Sequence, residues 1–391
     1  MKVCLVTGEF PPMQGGVGDF TNELGKALAE LGVEVRIVTS TKARNSELPG
    51  TCHLLSVVER WNWSHVRTIS EIVGELKPDI LNIQYQTAAY GMHPAISLLP
   101  LRLRLRRGTG SRLHTAVTFH DLKVPYLFPK AGPLRWWVNL VLARWSDAVI
   151  VTNAEDFARL SAYSFIRSLS VIPIGSNISP KPPAGYHRKG WRAHWGMEPD
   201  DLLLSYFGFL NESKGAETLV RALDKLVQTG YNVQLIMVGG KVGSSDPTNV
   251  AYLKRVEGLI EELGLTDRVL WTGYTPQSEV SANLLASDIC VLPYRAGASF
   301  RRGSFMAALA HGLPVVSTRP RVDVPELRQG ENILLVPPDA PVALAEAIAR
   351  LAGDPKLRRR LGEGAVGLAQ DFTWEKIAEK TKALYEDILG T

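Results

Sequence analysis

The sequence predicts an α/β protein built from two doubly wound, Rossmann-like domains, and three observations carry that expectation. Short apolar runs alternate with segments of helical periodicity along almost the whole chain. A glycine-rich stretch, Gly15-Gly16-Val17-Gly18, lies between the first apolar run and the first helical segment, as in a βαβ unit with parallel strands. The alternation then breaks once. From Ser179 to Trp195, in SPKPPAGYHRKGWRAHW, proline, glycine and basic residues crowd together without periodicity, as expected of a linker.

Taken in order, Val3 to Thr7 is a strand bounded by Gly8, Phe20 to Leu31 has helical periodicity, and Val33 to Val38 is a second strand. Further apolar runs at Ile80 to Ile83, Ala116 to Phe119, Ala148 to Thr152 and Leu169 to Ile172 extend the first series to a domain over 1–178. The second series, over 196–372, has runs at Leu202 to Phe207, Val233 to Val238, Val269 to Thr272, Ile289 to Leu292, Pro314 to Ser317 and Ile333 to Val336. The last segment, FTWEKIAEKTKALYEDIL from Phe372, is an amphipathic helix. Doubly wound halves of this kind hold ligands in a cleft at the carboxyl ends of their strands.

Composition sets bounds. A chain of 391 residues, 45% hydrophobic and 21% charged, is long enough for two full cores. Its net charge of +5 and pI near 9.0 suit anionic partners: nucleotide phosphates, acidic lipid or nucleic acid. Nucleic acid is disfavoured, because the arginines belong to no recognisable binding module. Cys4, Cys52 and Cys290 lack metal-ligand spacing and read as small core residues of a cytoplasmic protein. No apolar run is long enough to span a membrane, and MKVCLVTGEF has no signal-peptide pattern.

Several residues have chemistry to offer. Gly15 and Gly16, after the first strand, let backbone approach a ligand and aim N–H groups at an anion; the plain alternative is a tight turn. The lysine of a phosphate-binding NTPase loop is absent there. His120 ends the run Val117-Thr118-Phe119-His120-Asp121, placed to bond a hydroxyl or handle a proton, or else to be a satisfied structural histidine. Lys214, in Asn211-Glu212-Ser213-Lys214-Gly215, stands at a helix start where it can meet a phosphate or simply face solvent. Arg301-Arg302-Gly303-Ser304 opens an Ala- and Leu-rich helix, and two arginines beside helix N–H groups form an anion cradle.

The frame around that cradle, VLP…A-L-A-H-G-L-P-V-V-S-T, resembles the donor-site segment of family 4 retaining glycosyltransferases, which have the GT-B fold. The resemblance extends to the opening glycine loop with Pro11-Pro12, the T-F-H-D context of His120, Lys214, and the terminal helix, so it spans nearly the whole chain. It implies a sugar-nucleotide donor, hexosyl transfer with retention to an acceptor hydroxyl, no cofactor and no essential metal. Catalytic roles fall on His120 and Lys214. Donor contacts fall on Gly15, Gly16, Lys214, Gly240, Tyr274, Arg301, Arg302, Gly303 and Ser304. The terminal helix over 373–391 is expected to cross back to the first domain. The chain also departs from the family. Counting back from Gly312, the paired glutamates of that segment are replaced by Ser299 and Ala307. The arginine usually five residues before Lys214 is Phe209. A rebuilt site with Arg301 or Arg302 supplying the lost charge is one reading; a non-catalytic binding or scaffolding member is the other.

Two features concern an acceptor, which the resemblance leaves open among sugars, lipid-linked and small-molecule hydroxyls. Leu101 to His114 holds five arginines, and Leu134 to Trp145, LRWWVNLVLARW, holds three tryptophans. A basic stripe beside aromatic residues suits a peripheral contact with an anionic membrane or a lipid-linked phosphate. A solvated loop beside a helix buried on the first sheet explains the same residues.

Overall fold

The computed structural model of the protein describes residues 1–13, 15–44, 48–106, 113–122, 136–198, 200–241 and 247–390. The chain divides into two compact units, Met1–Gly175 with Thr373–Thr391, and Ser176–Phe372.

Unit 1 contains a seven-stranded sheet in the order β3-β2-β1-β4-β5-β6-β7. Its strands are β1 (Lys2–Thr7), β2 (Glu34–Ser40), β3 (Cys52–Val58), β4 (Ile80–Tyr85), β5 (His114–Phe119), β6 (Ala148–Val151) and β7 (Leu169–Val171). Every pairing is parallel, with Val3 opposite Val35 on one side and Ile80 on the other. Parallel strands need crossovers, and the helices that provide them cover both faces. Alternation along β1 makes this concrete: Cys4 and Val6 enter one core, while Val3 and Leu5 enter the core on the opposite face. The helices are α1 (Gly16–Glu30), α2 (Trp63–Leu76), α3 (Leu99–Arg106), α4 (Trp136–Trp145) and α5 (Ala154–Ser161).

Unit 2 begins with α6 (Arg188–His194) and has a six-stranded parallel sheet, ordered β10-β9-β8-β11-β12-β13. These are β8 (Leu202–Phe207), β9 (Val233–Val238), β10 (Val269–Gly273), β11 (Ile289–Leu292), β12 (Val315–Thr318) and β13 (Leu334–Val336). Its other helices are α7 (Ala216–Gln228), α8 (Pro247–Glu262), α9 (Gln277–Ala286), α10 (Gly303–Ala310), α11 (Pro341–Gly353) and α12 (Pro355–Ala369). The predicted fold class holds in both units. In each sheet the strand order reverses beside the first strand, between β1 and β4 and between β8 and β11, the position where open parallel sheets leave a crevice for ligands.

The final helix, α13 (Trp374–Leu389), belongs to unit 1. Ile377, Ala378 and Tyr385 join the core shared by α1 and β1. The Trp374 ring meets Phe20 edge-on at 5.2 Å, and Asn82 Nδ2 of β4 donates to the Tyr385 hydroxyl at 2.7 Å. Lys382 Nζ donates to the Leu31 carbonyl at the end of α1.

Two elements differ from the sequence reading. Strand β3 is an edge strand, partly exposed and interrupted by His53 and Ser56, so it offers no continuous apolar run. Residues 179–195, expected as a linker, lie inside unit 2 and include α6. Trp191 and Trp195 both donate indole N–H bonds to Asn283 Oδ1, and buried Arg192 pairs with Asp288 at 3.0 Å. The composition of a linker was the composition of a docked helix.

Candidate functional site

In unit 2 the candidate site forms where β8 and β11 part. Gly208 follows β8 with φ of +112°, and a Cβ there would lie 2.7 Å from Lys214 Nζ and 3.8 Å from Ser304 Cβ. Only glycine gives both that backbone and that room. Lys214 closes a short 3₁₀ turn, Glu212–Lys214, and its ammonium rests against the Gly208 backbone. Burial, and then the guanidinium of Arg302, bring its pKa down from 10.5 to about 8.

Arg302 occupies the N-cap position of α10. Its guanidinium lies over the Tyr294 ring, 4.9 Å from the centroid, and its buried Nε has no hydrogen-bond partner among the described residues. Burial lowers its pKa, and Arg301 adds to the shift. The Tyr294 hydroxyl is 2.7 Å from Ser304 Oγ, which fixes that serine beside the cradle. No side chain caps the α10 N-terminus. A buried lysine whose charge is disfavoured by a neighbouring guanidinium, beside an open helix N-terminus, is a site for a polyanion. Gly303 and Ser304 form that helix start, and Arg301 precedes it.

Ser299 and Ala307 place no carboxylate here. Ser299 is tied into the turn, its carbonyl accepting from the Arg302 N–H at 3.1 Å, and Ala307 is fully buried on α10. His311 is a structural histidine: Nδ1 lies 2.7 Å from the Ala307 carbonyl and Nε2 lies 2.9 Å from Ser281 Oγ.

Gly240 and Tyr274 sit on neighbouring turns. Gly239 and Gly273 form an isolated bridge, and Thr272 Oγ1 accepts from the Gly239 N–H at 3.0 Å. Tyr274 is 71% exposed. The Phe209 ring lies against Gly240, and a Cβ there would fall 2.8 Å from the ring. The residue standing where a phosphate-binding arginine was expected therefore packs against the glycine beside it.

In unit 1 the glycine loop is also altered. The Glu9 carboxylate turns back over the start of α1 and accepts from the Val17 and Gly18 N–H groups at 3.1 and 3.4 Å. A Cβ on Gly15 would lie 2.0 Å from that carboxylate, so Gly15 is there to admit Glu9. The Val17 and Gly18 N–H groups, just after Gly15 and Gly16, are thus taken by the chain's own carboxylate. Burial raises the Glu9 pKa, and the two backbone donors partly oppose the rise. No sequence pattern announces this contact.

His120 follows β5, with Nε2 3.0 Å from Gln84 Oε1 and its ring edge-on to Phe20 at 4.6 Å. A carbonyl oxygen only accepts, so the ring donates through Nε2 and keeps its lone pair on Nδ1. Burial lowers the pKa to about 3, and the imidazole is neutral at physiological pH. Such a ring accepts a hydrogen bond from a hydroxyl at Nδ1 and has no proton to spare as an acid.

Among the described residues no helix is long and apolar enough to cross a membrane, and no three His, Cys, Asp or Glu side chains gather as metal ligands.

Comparison with known proteins defines the class. Residues 15–175 match the family model described as glycosyl transferase 4-like domain, and residues 201–354 the model described as glycosyl transferases group 1. Both units thus match glycosyltransferase family models, and the two parallel sheets are those of the GT-B fold. It is similar to D-inositol 3-phosphate glycosyltransferase of Corynebacterium glutamicum (strain R), with 29% identity over 71% of this chain and 67% of that protein. Two further relatives of that name are matched over only 48% and 56% of their length. Among solved structures, sucrose-phosphate synthase from Thermosynechococcus elongatus superposes with a TM-score of 0.79 at 25% identity, covering 100% of this chain and 99% of that one. Anabaena HepE in complex with UDP-glucose superposes with a TM-score of 0.75 at 17% identity, covering 99% and 100%.

Proposed function

We propose that the protein transfers a sugar from a nucleotide-diphosphate donor to an acceptor hydroxyl, with retention at the anomeric carbon. The observation that carries this reading is the convergence of Lys214 and Arg302 on the uncapped start of α10. When the bond from C1 to the diphosphate breaks, its electron pair stays on the phosphate oxygen, and cations held there stabilise the developing charge. The acceptor oxygen bonds to C1, and its proton passes to the departing diphosphate. Neutral His120 orients a substrate hydroxyl through Nδ1. Arg302 supplies the charge that Phe209 does not. The UDP-glucose complex of Anabaena HepE supports a uridine nucleotide as the first donor to try.

Titration calorimetry with UDP and UDP-glucose tests the site. Lys214→Ala and Arg302→Ala should each weaken binding about ten- to hundred-fold, since charge-assisted hydrogen bonds contribute about 1.5–3 kcal/mol. Unchanged affinity in both variants would place the donor elsewhere. A second reading, a nucleotide-sugar-binding protein without turnover, is favoured by one observation, the absence of a carboxylate at buried Ala307 and at Ser299. Tight donor binding without hydrolysis or transfer across a donor and acceptor panel would establish it.

A further inference from the structure

Helix α3 in unit 1 is apolar on two faces. Leu99 and Leu103 are buried in the core beneath it. On the other side Leu98, Leu101 and Leu105 recur at helical spacing and line an open groove of about 570 Å³, closed across by Trp63 and Val66 of α2. Leu105 is 78% exposed and Trp63 60%. A surface helix ordinarily turns charge to solvent, so a second apolar stripe calls for a partner.

The charges around the groove say what that partner is. Arg102 and Arg106 line it, and Arg67 stands one turn along α2. Glu71 is the acidic group facing them; its pKa is lowered chiefly by its hydrogen bond to Arg67, and Arg106 and Arg102 add to the effect. The buried Nε of Arg102 has no hydrogen-bond partner among the described residues. A second copy of this chain would meet the patch in self-complementary fashion, bringing arginine against arginine. An acidic surface with an apolar layer beneath it matches both features at once.

We propose that this face docks on an anionic lipid bilayer, with Leu105 and Trp63 entering the acyl boundary and Arg102 and Arg106 held at headgroup phosphates. The inference is independent of the transfer reaction, and its test needs neither donor nor acceptor.

Flotation of the full chain with vesicles checks it. Binding is expected to vesicles of phosphatidylcholine mixed with phosphatidylglycerol. It should be far weaker with phosphatidylcholine alone, and lost near 1 M salt, where the Debye length falls to about 3 Å. Arg106→Gln should weaken binding about five-fold, and Leu105→Ser about ten-fold or more. Both sites are exposed, so the fold survives, and circular dichroism verifies this. Arg359→Gln on α12, an equally exposed arginine in unit 2, changes net charge alike and should leave binding unchanged. Equal losses for Arg106→Gln and Arg359→Gln, with none for Leu105→Ser, would reduce the effect to net charge and overturn the proposal. So would equal binding to neutral vesicles, no binding at low salt, or full competition by soluble glycerol phosphate. Self-association without lipid that Leu105→Ser abolishes would make the face a protein interface instead.

Discussion

The buried titratable groups give the protein testable pH signatures. Lys214 has a folded pKa of about 8 against an ordinary 10.5, so between those values the unfolded chain binds a proton that the folded chain does not. Stability therefore rises with pH across that window. A diphosphate beside Lys214 restores the favoured charge. Nucleotide binding should take up a proton at pH above about 8, and affinity should fall as pH climbs further. Calorimetry in buffers of different ionisation enthalpy reads this directly, and zero proton uptake would refute it. His120 is shifted to about 3 by burial, so it stays neutral when folded. As pH falls from 6.5 toward 3 the unfolded chain gains a proton the folded chain refuses, and stability is lost over that range. His120→Gln should flatten the loss, measured by denaturant midpoints at neutral and acid pH. If the ring acts in the transition state, His120→Ala should lower turnover by roughly 10²–10⁴-fold with little change in donor affinity. Glu9 has the opposite sign. Its raised folded pKa means stability declines as pH rises through it. Glu9→Gln keeps the acceptor for the Val17 N–H, and should raise Tm at pH 7 but not at pH 4. The positions of Lys214, Arg302 and His120 were legible because each lies in the loop or turn that follows an apolar run. Glu9 and Gln84 were not, since their partners are a helix start and a ring that the fold alone brings to them.

Among the elements, α6 shows most plainly where local composition misleads. Its basic residues read as part of a linker because nothing nearby in sequence answers them. The partner of Arg192 is Asp288, 96 residues away, and Arg192 also donates to the Ala286 carbonyl at 3.0 Å and the Asp201 carbonyl at 2.5 Å. Removing one member of such a pair leaves the other buried and uncompensated. Arg188 still reaches Asp288, so Arg192→Met is expected near the lower end of the about 3–5 kcal/mol range. Urea unfolding of unit 2 would measure it, and a change below about 0.5 kcal/mol would show α6 to be peripheral. The central strands were legible as continuous apolar runs because parallel strands are buried on both faces. Edge strand β3 lacks that mark.

At the scale of the whole molecule, length and composition pointed to two domains with full cores, and the chain divides into two compact units, each with its own buried apolar clusters. Unit 1 is completed by residues far along the chain. Deleting 373–391 removes Ile377, Ala378 and Tyr385 from its core and strips a partner from Asn82. Thermal unfolding of the truncated chain should show unit 1 lowered while unit 2 keeps its own transition, and two undisturbed transitions would contradict the packing of α13. The same feature sets a timetable for synthesis. The ribosome makes residues 1–175 first, yet their core stays open until α13 emerges, after all of unit 2 has been made. At about 5–20 residues per second that delay is roughly 10–40 s. A nascent chain would thus carry an unfinished unit 1 behind a finished unit 2, and a chaperone that binds exposed apolar surface would have its longest opportunity at the part of the protein translated earliest.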